Sequence, residues 1–96
     1  MLLRLATLLL LSVSLSCANK ELIKPGEPID SAYEKSIAFY EKEEYSDAAY
    51  GFDLVTRMGR GTTYAKEAQF LLAESYFKNK QYLLAASEYE RFISYY

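Results

Sequence analysis

The sequence predicts an all-α fold, a solenoid of two helix–turn–helix repeats. Bulky apolar residues recur at steps of three, four or seven, and the whole pattern recurs after 37 residues. At this shift, aromatic residues match aromatic residues, small residues match small ones, and apolar residues match apolar ones. The matched pairs are Tyr33/Phe70, Ser36/Ala73, Phe39/Tyr76, Tyr40/Phe77, Tyr45/Tyr82, Ala48/Ala85, Ala49/Ala86, Phe52/Tyr89 and Val55/Phe92. A period in the thirties with helical patterning indicates a helical solenoid.

Residues 1–16 have the layout of a secretory signal peptide. Met1 and Arg4 supply a positive end, residues 5–13 are apolar, and a Ser-Leu-Ser approach leads to Cys17. The apolar stretch is too short to span a bilayer, which needs about 20 residues. We expect this segment to be removed on export.

Cys17 is the single cysteine and follows that signal directly. Its placement resembles the lipobox of bacterial lipoproteins, whose cysteine is acylated and becomes the mature N-terminus. The resemblance implies a permanent lipid anchor, since each buried methylene contributes about 0.8 kcal/mol. Ala18 after the cysteine implies the outer membrane, with the protein on the periplasmic face. The alternative is a plain secretory signal followed by a free thiol.

Residues 17–30 are predicted to be the lipidated N-terminus and a flexible tether, because Pro25, Gly26 and Pro28 oppose a helix. Two repeats follow, at about 31–61 and 62–96. Ser31 and Glu34 form a capping-box sequence, which predicts that the first helix begins at Ser31.

The four predicted helices are separated by short polar or glycine-containing turns. The first spans 31 to about 43 and the second about 46 to about 58. The third follows a cap at Thr62 or Thr63 and runs to about 79, and the fourth begins near 82. Gly51 is the only glycine inside a predicted helix. Because glycine lowers helix propensity by up to about 1 kcal/mol, it predicts a close approach of a neighbouring helix at that point.

Both units resemble the tetratricopeptide repeat. Its succession of small residue, aromatic, polar turn, tyrosine, alanine and aromatic occurs at positions 36, 39, 45, 48 and 52, and again at 73, 76, 82, 85 and 89. The resemblance implies a peptide-binding groove that is lined by Tyr33, Ile37, Tyr40, Phe70, Glu74 and Phe77. Packing against the next repeat is the alternative role for the four aromatic members.

The residue inventory argues against an enzyme. The chain has no histidine, its cysteine is assigned to the anchor, and its serines have no nearby base, so nucleophilic triads and the usual zinc sites are excluded. No cofactor or metal is predicted. Glu41, Glu43, Glu44 and Asp47 lack the spacing of a calcium loop and are interpreted as a solvated turn. A net charge of −2, with Lys and Arg scattered among acids, argues against nucleic-acid binding.

A signal, a lipobox cysteine, a tether and a tetratricopeptide pair together resemble the N-terminal half of the BamD (YfiO) family. The segments that carry the resemblance are 33–36, 44–49, 64–69, 72–77 and 88–93. Family members are lipoproteins of the outer-membrane β-barrel assembly machine. The resemblance implies a non-enzymatic scaffold that binds unfolded barrel precursors or other assembly components, while a C-terminal half docks on the barrel subunit BamA.

Two repeats are fewer than the family carries, and the last helix ends in apolar residues without a polar cap. We therefore expect this chain to be the N-terminal fragment of a longer protein. Two other functions remain open at this stage. One is a different periplasmic tetratricopeptide lipoprotein, an adaptor in envelope maintenance, cell division or polysaccharide export. The other is the targeting module of an enzyme.

Overall fold

A computed structural model describes residues 22–96, which form four α-helices and no strand. They are α1 (Ile29–Glu41), α2 (Tyr45–Met58), α3 (Thr63–Lys78) and α4 (Tyr82–Tyr95). Each helix packs against the next one along the chain, and α1 also contacts α3. This all-α repeat arrangement confirms the predicted fold class. The predicted signal peptide, Cys17 and residues 18–21 lie outside the described residues.

The 37-residue repeat of the sequence is also a repeat of backbone geometry. Glu43 and Lys80 are 37 residues apart, and their φ angles, 62° and 63°, both lie in the left-handed region. The N–H groups of the following residues, Glu44 and Gln81, donate to the carbonyl five residues earlier at 2.9 and 2.8 Å. Left-handed residues of this kind commonly end helices. The same turn therefore follows α1 and α3.

Aromatic contacts inside the two repeats are equivalent as well. In each repeat, two rings of the first helix meet two rings of the second helix edge to face. The pairs and centroid distances are Tyr33–Phe52 at 6.2 Å and Phe70–Tyr89 at 6.1 Å, then Tyr40–Tyr45 at 5.6 Å and Phe77–Tyr82 at 5.4 Å. Edge-to-face pairs contribute about 0.5–1.5 kcal/mol beyond the area that they bury. Both helical hairpins are thus closed by the same contacts.

The core lies where α2 packs between α1 and α3. Phe52, Val55 and Leu72 are almost completely buried there. Buried alanines, among them Ala48 and Ala68, let the helix axes approach closely. The second repeat is less enclosed, because within residues 22–96 no helix packs on the far side of α4.

The sequence predicts a flexible tether over residues 17–30, and one residue of that segment, Ile23, is docked on the fold. Ile23 is 5% exposed and belongs to the core cluster. A Cβ at Gly51 would overlap both the Ile23 side chain and Ser36 Oγ. The predicted close approach at Gly51 is confirmed, and the glycine also makes room for Ile23. The prolines oppose a helix in this segment, but they do not prevent one apolar side chain from entering the core.

The start of α1 also differs from the prediction. The helix begins at Ile29 with Pro28 as its N-cap residue, so Ser31 lies inside the first turn and no capping box forms. Instead, Glu27 accepts hydrogen bonds from the Lys24 N–H at 2.6 Å and from Ser31 Oγ at 2.8 Å. The bond from the Lys24 backbone lowers the pKa of the Glu27 carboxyl. A carboxylate at this position also complements the positive end of the helix dipole.

The third helix begins as predicted. Thr62 is its N-cap residue, and Thr62 Oγ1 accepts a hydrogen bond from the Ala65 N–H at 3.3 Å. Thr62 Oγ1 also donates to the Gly59 carbonyl at 2.5 Å, which ties the cap to the preceding turn.

None of the four helices in residues 22–96 combines the length and the apolar character needed to cross a membrane.

Substitutions at Ile23 and its neighbour test the docked segment. Ile23→Ala in the full-length protein should lower the free energy of unfolding by roughly 2 kcal/mol, because it removes buried methyl and methylene groups from the core. Leu22→Ala is the matched control, since Leu22 is 61% exposed, and it should change stability by less than about 0.5 kcal/mol. Urea unfolding followed by circular dichroism measures both, and equal losses would contradict the docking.

Candidate functional site

The predicted groove residues on α1 face α3 at the junction between the repeats. The Tyr33 ring lies 5.2 Å from the Tyr64 ring, and Lys78 Nζ lies 5.5 Å from the centre of the Tyr40 ring. Ile37, between them, is partly buried against the core. Contacts with the next repeat therefore occupy both tyrosine rings in part. For these two residues the geometry matches the packing role that the sequence left open.

The predicted groove residues on α3 have more exposed side chains. Phe70 is 41% exposed and Phe77 is 51% exposed. They contact α4, where the Phe70 ring lies 5.6 Å from the Phe92 ring and the Phe77 ring 5.4 Å from the Tyr82 ring. Large exposed aromatics that are fixed on one side provide rigid contact area for a partner. We call Phe70, Glu74 and Phe77 the α3 aromatic surface.

Glu74 stands between the two phenylalanines and has a defined partner. Its carboxylate accepts a hydrogen bond from the Tyr89 hydroxyl of α4. Four residues further on, the Lys78 ammonium lies over the rings of Tyr40 and Tyr45, at 5.5 and 5.9 Å. Such cation–π contacts contribute about 0.5–1 kcal/mol at exposed sites. The α3 aromatic surface thus contains one oriented carboxylate and is bordered by one oriented ammonium.

The protonation states of these groups follow from their surroundings. Burial raises the pKa of the Tyr89 phenol to about 12, and the hydrogen bond to Glu74 and the Glu74 charge add to the shift. The phenol therefore remains a hydrogen-bond donor at neutral pH. Tyr40 and Tyr45 raise the pKa of the Lys78 amine, so it remains a cation. The arrangement is suited to holding a peptide by apolar and polar contacts.

A second concave site lies on another side of α3, and the sequence did not predict it. It is a cleft of about 370 Å³ between the ends of α2 and α4, with the first turns of α3 as its floor. Arg57, Arg60 and Arg91 line it, and they are all the arginines in residues 22–96. In the sequence the basic residues are scattered among acids. The arginines line the same cleft because α2 and α4 both pack on α3.

Between positions 22 and 96, no three or more Asp, Glu, His or Cys side chains converge in a way that would hold a metal ion. The acidic turn at Glu41, Glu43, Glu44 and Asp47 is exposed or half-buried. These acidic residues lie at and beside the left-handed turn that follows α1, in which Glu43 has a positive φ. They therefore have a structural role in this turn.

Tyr89→Phe should make the free energy of unfolding fall less steeply as the pH rises into the alkaline range. The pKa of the phenol is 10.0 when unperturbed and about 12 in the fold. Its contribution is therefore complete below pH 10 and is lost as the pH rises through about 12. We expect the free energy of unfolding, measured by urea titration of the full-length protein, to fall less steeply between pH 10 and 12 in the variant than in the parent.

Tyr50→Phe is the control for this measurement, since Tyr50 is 53% exposed on α2. It should keep the slope of the parent. A Tyr89→Phe variant with the same slope as the parent would show that the fold does not raise the pKa of the Tyr89 phenol.

Comparison with known proteins identifies a family. A search of curated proteins finds no match for the chain. A family model, YfiO, described as an outer membrane lipoprotein, matches residues 25–96. The matched part contains all four helices, the α3 aromatic surface and the arginine-lined cleft. The match also confirms the resemblance to this family that segments of the sequence show. Because the match covers well over half of the sequence, this chain belongs to the YfiO family of outer membrane lipoproteins.

Proposed function

We propose that the protein is a non-enzymatic scaffold of the outer-membrane β-barrel assembly machine, anchored by lipid at Cys17 on the periplasmic face. The observation that carries this proposal is the YfiO family match over residues 25–96. Its partners in this proposal are unfolded barrel precursors and other subunits of the machine, including BamA. A repeat fold with exposed aromatic side chains supports a role in binding polypeptides.

The α3 aromatic surface is the proposed contact for such a partner. Phe70 and Phe77 are seven residues apart on α3, which places them about 10 Å apart along the helix axis. That spacing lets two side chains of one bound segment contact the two rings at the same time. Glu74 between them, oriented by Tyr89, would accept a hydrogen bond from the segment.

The position of Ile23 supports a short connection to the proposed anchor. Since Ile23 is docked in the core, the chain between Cys17 and the fold amounts to about six residues. Even fully extended, such a stretch reaches only about 20 Å. In this proposal the repeats remain close to the membrane surface, where barrel precursors are inserted.

Site-specific cross-linking tests the partners. A photo-reactive amino acid in place of Phe77 in the full-length protein should capture barrel precursors or BamA in intact cells. The matched control replaces Tyr50, which is similarly exposed at 53% but lies on α2, and it should capture neither. Exclusive capture of cell-wall or polysaccharide-export proteins from Phe77 would overturn the assembly role in favour of another envelope adaptor.

Replacement of the cysteine tests the anchor. Cys17→Ser should release the exported protein from the membrane fraction into the soluble periplasmic fraction, because the acyl chains would have no attachment site. Mass spectrometry of the parent's mature N-terminus provides the second readout and should show an acylated cysteine. A membrane-bound Cys17→Ser variant, or an unmodified Cys17 in the parent, would contradict lipid anchoring.

A further inference from the structure

A short segment before α1, residues 22–28, runs over the surface of the first repeat, and we call it the strap. Its Ile23 side chain is buried in the core, whereas Leu22 is 61% exposed and Lys24 is exposed as well. Residues 22–24 lie outside any helix or turn, and in an extended segment successive side chains point to opposite sides. Leu22 and Lys24 therefore face outward together while Ile23 faces the core.

A carboxylate holds the other end of the strap. Glu27 accepts hydrogen bonds from the Lys24 N–H at 2.6 Å and from Ser31 Oγ at 2.8 Å. It also pairs with Lys35 Nζ at 3.2 Å, and its side chain is only 12% exposed. The strap is thus attached at two points, Ile23 and Glu27, which define its path over the fold.

The strap lies on the side of the first repeat that is opposite to the second repeat. Ser31 and Lys35, which bind Glu27, are each two residues from Tyr33 on α1 and therefore about 160° from it around the helix. The Tyr33 ring lies 5.2 Å from the Tyr64 ring of α3. One side of α1 therefore contacts α3, and the opposite side contacts the strap.

The second helix adds an apolar side chain on the side that contacts the strap. A Cβ at Gly51 would lie 2.3 Å from Ile23 Cδ1, so this side of α2 faces the strap. Met58 follows Gly51 after about two helical turns, which places it on the same side about 10 Å along the axis. Its side chain is 37% exposed. We call Leu22, Lys24 and Met58 the terminal face of the first repeat.

The terminal face combines exposed apolar groups with an unpaired cation. Within residues 22–96, Lys24 forms no ion pair, whereas Lys35 is neutralised by Glu27. Apolar side chains beside a lysine suit the surface of a bilayer, because the apolar groups enter the acyl boundary while the ammonium remains among the headgroups. Anionic headgroups also attract such a cation.

We propose that the strap holds the terminal face against the bilayer, so that the second repeat is directed away from the membrane. The inference rests on the proposed lipid anchor at Cys17. Four residues separate Cys17 from Leu22, and even fully extended this stretch reaches less than about 20 Å. The bilayer is therefore the surface within closest reach of the terminal face. The α3 aromatic surface, in the second repeat, is left accessible to a polypeptide.

Tryptophan fluorescence tests this orientation, because the chain contains no tryptophan of its own. The mature lipidated protein with Met58→Trp is reconstituted into phosphatidylethanolamine–phosphatidylglycerol vesicles that contain brominated acyl chains, which quench nearby tryptophan. Tyr95→Trp is the matched control, since Tyr95 is 74% exposed on α4 and α4 packs only on α3. We expect about threefold stronger quenching for Met58→Trp, because an interfacial side chain lies within reach of the acyl chains.

Release of the strap provides the second readout. Ile23→Ala should lower the quenching of Met58→Trp towards the level of the Tyr95→Trp control, because the fold can then turn on a longer connection. Glu27→Gln loosens the other attachment without entering the core and should act in the same direction. Glu34→Gln is its control, because it removes the same charge from an exposed position on α1. Circular dichroism checks that each variant remains folded.

Two results would overturn the proposal while leaving the anchor intact. Met58→Trp and Tyr95→Trp could be quenched equally, or Ile23→Ala and Glu27→Gln could both leave the quenching of Met58→Trp unchanged. Flotation of the vesicles reports on the anchor separately. A parent protein that does not float with them would overturn both the anchor and the membrane contact of the terminal face. Cross-links from Phe77 to barrel precursors would still support the scaffold function in each case.

Discussion

The burial of Phe52 is the contact on which the rest of this structure depends. Its side chain is completely buried on α2, and its ring lies 6.2 and 6.3 Å from the rings of Tyr33 and Tyr40 on α1. The α1 tyrosines are therefore positioned by the core before they meet any ligand. Their rings then contact Tyr64 and Lys78 of α3. One buried ring thus links the closure of the first hairpin to its junction with the second repeat.

Equivalent positions in the two repeats serve different purposes, and the difference depends on what covers them. Val55 is completely buried, whereas its repeat equivalent Phe92 is only half-buried. Tyr40 is half-buried, whereas its equivalent Phe77 is 51% exposed. In a solenoid each repeat buries the apolar face of its neighbour. An aromatic residue at one position therefore stabilises the junction in the first repeat, whereas no helix within residues 22–96 covers its equivalent in the second.

Helical periodicity predicted the four helices, because the spacing of apolar residues is a local property. The left-handed turns after α1 and α3 lie in the turns that were predicted between the helices, because turn chemistry is local as well. The cap at Thr62 and the close approach at Gly51 were predictable for the same reason. The docking of Ile23 in the core was not predictable, since nothing local distinguishes a docked isoleucine from an exposed one in a segment with two prolines. The cleft was not predictable either: Arg57 and Arg91 are distant in sequence, and only the packing of α2 and α4 on α3 places them in one cleft.

Gly51 shows how a local penalty is offset by a tertiary contact. Glycine in a helix is less favourable than alanine by about 1 kcal/mol. The space that it leaves admits Ile23 and Ser36, and full burial of an isoleucine side chain contributes about 1.5–3 kcal/mol. The balance favours docking. Consequently the segment that precedes α1 is joined to α2 through the core at this one packing contact.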